Sequence, residues 1–178
     1  MYAGHRISVD ADHILSNLRS SFADVLAQLE SVAGCKTGRV QRPVQILGSL
    51  DRIETGIRQL IRTQPLETTQ VDCNGALVTL PTAAEMLRIK GILILKRSAT
   101  RDYLDFLALT NHLGDDGAVS ALCEFDRLYP QKNGESPLQQ LEVQLANPLP
   151  YDLDGTELSE YKHLARIFHE SRTHSLVS

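Results

Sequence analysis

Two aspartates, Asp10 and Asp12, stand one residue apart in the opening stretch GHRISVDADH, with Arg6 and Ser8 just ahead of them. On a strand alternate side chains share a face, so this pair would present two carboxylates side by side. Hard oxygen ligands of that kind suit Mg²⁺, which is held by one or two carboxylates and keeps several waters. Those open positions suit phosphate oxygens. Arg6 has the charge to meet a phosphate, and Ser8, two residues before Asp10, projects on the same face and could orient a carboxylate or a water. A plainer reading stays open beside this one: a D-x-D pair on a solvated surface.

The second chemistry-bearing stretch is EMLRIKGILILKRSATRDYLDF. Lys90 sits in an apolar run, where a lysine either snorkels to the surface or points into a site. Arg97, Arg101, Asp102 and Asp105 crowd around a predicted break between two helices. Arg101 and Asp105 are four apart, the spacing of an ordinary ion pair on a helix surface. Asp102 falls in the first turn of the second helix, where free N–H groups and the helix dipole favour an anion. His5 and His13 flank the acidic pair, and no P-loop, GxGxxG or GxSxG pattern is present.

The elements that must position these residues follow from periodicity. The run HRISVDA predicts a short strand over about 5–12. The next stretch, as far as Gly34, repeats apolar residues at three and four, the helical period, from Ile14 and Leu15 through Leu29. Two strand-like runs follow, GRVQRPVQILGSL and ETGIRQLIRTQ, joined near Gly48 to Arg52. ETTQVDCNGALVTLP contains Asn74-Gly75, a strong two-residue hairpin signal. After Pro81 the texture turns helical. Thr82 with Glu85 reads as a capping box, and Ser98 or Thr100 is expected to cap a second helix that closes at Gly114. Further helices are predicted over DDGAVSALCEFDRLYP, SPLQQLEVQLANP and ELSEYKHLARIFHESR. The fold class is α+β: a small mixed or antiparallel sheet flanked by helices, followed by a helical C-terminal region. The expected division is a core over 1–81 and a helical region over 82–178 that completes the site.

Composition sets limits on function. The chain has 178 residues, 42 % of them apolar, and a net charge of −4. A domain built mainly to coat nucleic acid would be basic, so an RNA contact would need a local patch such as Arg88, Lys96, Arg97 and Arg101, or Arg39 with Arg42. Three scattered cysteines, Cys35, Cys73 and Cys123, make neither a zinc pattern nor a disulfide framework. No apolar run has the length of a membrane span, and the opening residues have no hydrophobic core of a signal peptide. A cytoplasmic protein with reduced thiols and no membrane partner is expected.

Taken together, the two motifs resemble the AbiEii-type nucleotidyltransferases, toxin components of bacterial abortive-infection and toxin–antitoxin systems related to the MenT toxins, within the DNA polymerase beta-like superfamily. The resemblance spans about residues 4 to 110. It implies a nucleotidyltransferase-like sheet and Mg²⁺-dependent transfer of a nucleotide from a nucleoside triphosphate to an RNA (tRNA) or protein acceptor, under control of a cognate antitoxin. In that reading Asp10 and Asp12 bind the metal, Lys90 contacts the phosphates, and Asp102 is a further active-site acid. Arg101 stands beside it, and Arg6 and Ser8 help hold the nucleotide. The family also carries a Gly-Gly-Ser/Thr turn upstream of its D-x-D, and here only MYAG precedes His5. A late start, a truncation or a degenerate copy would each account for that. The last two motivate an alternative: a catalytically dead relative acting as a binding or interaction module.

Overall fold

The computed structural model describes Gly4 and residues 10–153. Arg6 and Ser8 lie outside the described residues, as does the expected helix in ELSEYKHLARIFHESR. The fold is a small α+β arrangement of helices with one mixed and one antiparallel sheet. One compact unit closes at Pro65 and a second opens at Leu66.

The first unit begins with β1 (Asp10–Leu15) and α1 (Leu18–Ser31), followed by β2 (Cys35–Gln41), β3 (Gln45–Leu50) and β4 (Ile53–Gln59). Its sheet has the order β1-β4-β3-β2. β1 runs parallel to β4, and the other neighbours are antiparallel. Sequence periodicity places Ile14 and Leu15 in the helix; the structure places them in the strand. Leu15 there faces inward and packs with Ile57 against α1, so burial on the sheet outweighs the helical spacing. The run GRVQRPVQILGSL is two strands, because it reverses at Arg42-Pro43, where proline has no N–H to extend a ladder. The β3–β4 turn uses Asp51 and Arg52, both at positive φ (48° and 71°). Leu18, Phe22 and Ile46 form a thin core beneath α1, and the Arg42 guanidinium lies 5.1 Å from the centre of the Phe22 ring.

The second unit contains the hairpin β5 (Thr68–Cys73) and β6 (Ala76–Pro81), then α2 (Ala83–Arg97), α3 (Thr100–Leu122), α4 (Phe125–Leu128) and α5 (Pro137–Ala146). Asn74 and Gly75 turn the hairpin, both at positive φ. Thr82 caps α2, its hydroxyl accepting from the Glu85 N–H at 3.2 Å. The reciprocal half of the capping box is replaced: the Thr82 N–H donates to the Glu67 carbonyl, and the fully buried Glu85 carboxylate accepts from the Glu67 N–H and Arg88. Gly114, at φ 71°, interrupts α3 where the sequence expects a helix to close.

The helices bury a larger core, with Leu87 and Ile94 of α2, Phe106 and Leu109 of α3, Phe125 and Leu141 at its centre. Each fully buried side chain of this size contributes about 1.5–3 kcal/mol. Gly91 makes the packing possible. A Cβ there would sit 2.9 Å from Leu141 Cδ2 and 3.1 Å from Phe125 Cε2, too close for either to remain in place.

Candidate functional site

The acidic pair stands on the edge strand of the first unit. Register partners share a face, so Asp10, Asp12 and Ile14 line up with Glu54, Gly56 and Arg58. Leu15, Ile46 and Ile57 pack against α1 on the opposite side of the sheet, which leaves the acidic face uncovered by that helix. Asp10 stands opposite Glu54, and Asp12 opposite Gly56. The Asp12 carboxylate leans across Gly56: a Cβ added there would meet Oδ1 at 2.5 Å. The same oxygen is 3.8 Å from Arg58 Nε, and both side chains are about half exposed (52 % and 43 %). Among the described residues no group of three or more His, Cys, Asp or Glu side chains is arranged to hold a metal ion. Sequence reading missed Gly56 and Arg58. A glycine inside a strand signals close approach of another group, and that was the available hint.

The second constellation assembles within the helical unit. Lys90 does not snorkel. Its Nζ lies 2.6 Å from Asp105 Oδ2 and 3.3 Å from Asp102 Oδ1. Asp102 is fully buried and also receives a bidentate grip from Arg97, Nε to Oδ2 at 2.6 Å and Nη2 to Oδ1 at 2.9 Å. The expected Arg101–Asp105 pairing is superseded, because Asp105 turns inward to Lys90 while Arg101 is exposed. Two cations and two carboxylates thus neutralise one another between α2 and α3. Such a cluster is stable only while every member keeps its partners.

The corner between these helices is held from outside. Ser98 ends α2 in the left-handed conformation, and Ala99, not Ser98 or Thr100, occupies the cap position of α3 with no side-chain cap of its own. Asp152 supplies the cap from 52 residues away, its Oδ1 accepting from the Thr100 N–H at 2.7 Å and hydroxyl at 2.8 Å. The backbone hydrogen bond from Thr100 holds the Asp152 carboxyl below its ordinary value of 3.8, with the Thr100 hydroxyl and Arg101 adding to the effect against a desolvation cost. Tyr151 N–H donates to the Ser98 carbonyl, and Ser98 Oγ donates to the Leu149 carbonyl. Residues 149–152 therefore form a strap across the corner.

Comparison with known proteins points away from nucleotidyl transfer. The chain is 40 % identical over 95 residues to the heme uptake protein MmpL11 of Mycobacterium tuberculosis, covering 52 % of this chain and 10 % of that protein. The same identity and coverage hold for the probable transport protein MmpL11 of Mycobacterium bovis. The mycolic acid-containing lipids exporter MmpL11 of Mycolicibacterium smegmatis is 35 % identical over 101 residues, 55 % of this chain and 11 % of that protein. The chain spans about a tenth of the length of the curated relatives it matches. No protein-family profile matches it, and no solved structure does.

These relatives overturn the expected AbiEii-type resemblance, and with it the toxin–antitoxin role, the nucleoside triphosphate substrate, the tRNA acceptor and the cognate antitoxin. Nothing in the described fold is specific to a nucleotidyltransferase. The physical reason the resemblance misled is plain in the second unit. A lysine followed by R-D-x-x-D is also what two adjacent helices need to lock together through buried ion pairs, as Lys90, Asp102 and Asp105 do. As for the membrane, no described helix is long and apolar enough to cross one.

Proposed function

We propose that this chain is a non-catalytic interaction module allied to MmpL-type transport proteins. The likeness to MmpL11, 40 % over 95 residues, carries the reading. The helical unit supports it: the charges that would have served chemistry, Lys90, Arg97, Asp102 and Asp105, are engaged with one another. A buried, mutually compensated cluster fixes the geometry of two helices and leaves the outer surface to make contacts. Heme uptake and lipid export belong to the relatives by their names. The proposed role here is in the protein contacts of such a carrier.

A chimaera tests this. The matching stretch of about 95 residues in the M. tuberculosis protein is replaced by that of this chain, and growth on heme as iron source is compared with a version lacking the stretch. Growth with the chimaera and failure with the deletion is the expected result. A deletion that leaves uptake intact, or hydrolysis or transfer of Mg²⁺-bound nucleoside triphosphate by the isolated chain, would overturn the proposal.

A further inference from the structure

The strap over residues 149–152 is tied down by polar groups. Tyr151 N–H donates to the Ser98 carbonyl, the Leu149 carbonyl accepts from Ser98 Oγ, and the Asp152 carboxylate accepts twice from Thr100. Its large apolar side chains point the other way. Leu149 and Tyr151, each 74 % exposed, are the two most exposed large apolar side chains among the described residues, and Leu153 just beyond them is 50 % exposed. Single apolar side chains on a surface are ordinary. Three of them within five residues, on a segment whose backbone is fixed, form a patch of the kind that marks an interaction site.

The charge beside the patch is positive. Lys96 lies in the last turn of α2 and Arg101 in the first turn of α3, one on either side of the Ser98–Thr100 corner that the strap crosses, and both are exposed. The carboxylates of this corner are already engaged. Asp152 is held by Thr100, with Arg101 beside it. Asp102 and Asp105 are buried, and Lys90 and Arg97 compensate them there. Outward apolar side chains with cations next to them match a lipid surface of anionic headgroups. The apolar groups enter the acyl boundary, a tyrosine settles at headgroup level, and the cations meet the phosphates. Three side chains fall far short of the roughly 20–30 residues a side of a stable protein interface, whereas burial in lipid adds up one side chain at a time.

We propose that the α2–α3 corner is a membrane-surface site, at which Leu149, Tyr151 and Leu153 enter the headgroup boundary of an anionic bilayer while Lys96 and Arg101 lie against its phosphates. The polar ties to Ser98 and Thr100 fix the strap before it meets the lipid, so little ordering of the backbone opposes insertion. Attachment is peripheral and weakens with salt, because the cations supply the long-range attraction. Neither signal suffices alone; apolar insertion and a basic patch together give firm attachment. The site goes beyond the transport reading and does not depend on it.

Flotation of the full chain with vesicles tests it, comparing phosphatidylglycerol mixed with phosphatidylcholine against phosphatidylcholine alone. Binding to the anionic vesicles that falls as salt is raised is expected. Lys96→Gln and Arg101→Gln should each weaken it about fivefold, and Leu149→Ser combined with Leu153→Ser about tenfold or more. Circular dichroism should not change, because Ser98, Thr100 and Asp152, which tie the strap, are untouched. The chain has no tryptophan, so Tyr151→Trp places a single indole in the patch. Its emission should move to the blue on anionic vesicles and stay unchanged on phosphatidylcholine. No binding to anionic vesicles at low salt, binding during which the indole at position 151 remains in water, or binding by a folded chain that is indifferent to Leu149→Ser with Leu153→Ser would each overturn the proposal. An indole that shifts only in complex with a protein would assign the patch to that partner and overturn the lipid site.

Discussion

Asp10 with Asp12 and Asp102 with Asp105 look alike in sequence: two close acidic residues with basic neighbours. In the fold they are opposites. The first pair stands on an exposed strand, with Arg58 at 3.8 Å and water within reach. The second is buried between two helices and held by Lys90 and Arg97 at distances down to 2.6 Å. The difference teaches that the position of a charge relative to an apolar helix face decides its role more than its neighbours in sequence do. Asp102 faces inward because Phe106 and Leu109, four and seven residues further on, fix the buried stripe of α3, and a charge on that stripe must find partners. Asp12 has a whole solvated face available, so one loose partner is enough.

Removing one charge from each region should have unequal consequences. Lys90→Met should destabilise the chain by about 3–5 kcal/mol, because it leaves two buried carboxylates with too little compensation, as read by denaturant unfolding. Asp12→Ala should shift the same curve by at most about 1 kcal/mol, the range of an exposed pair. Equal losses would refute the distinction. Gly91→Ala comes next. It forces a methyl against Leu141 and Phe125 and should cost about 1–3 kcal/mol by overpacking; the equivalent change at Gly75, with open space around it, isolates the backbone penalty of a positive φ alone.

Asp152→Ala should cost about 1 kcal/mol, the usual value of a lost helix cap. Its pH dependence follows from the lowered carboxyl. The ionised form is favoured by folding, so its contribution is present above the ordinary value of 3.8 and fades as pH falls through the lower folded value. Unfolding curves of the parent and Asp152→Asn should therefore converge on acidification.

Much of this architecture was legible. Asn74-Gly75 announced the hairpin, Thr82 the start of α2, and Gly114 the break in α3, since each is a local signal with a local cause. What depended on distant partners was not. Ile14 and Leu15 fit a helical period as well as a strand, and only their packing against β4 and α1 decides. The site was legible as a list of charges and illegible as an arrangement. Lys90 and Asp105 are fifteen residues apart in sequence, and nothing local says that they meet. The cap of α3 was missed for the same reason: Asp152 lies far down the chain, while Ser98 and Thr100 stood where a cap is usually sought.

The strap over residues 149–152 also sets an order of events. During synthesis α2 and α3 leave the ribosome well before Asp152 does, and domains begin to fold from the emerged end. Until Asp152 reaches Thr100, the first turn of α3 has no side chain to satisfy its N–H groups. The capping of that corner is therefore among the last features of the helical unit to form, and a chain stopped short of Leu149 would still dock α2 on α3 through Lys90, Asp102 and Asp105 but would leave the first turn of α3 without the Asp152 cap.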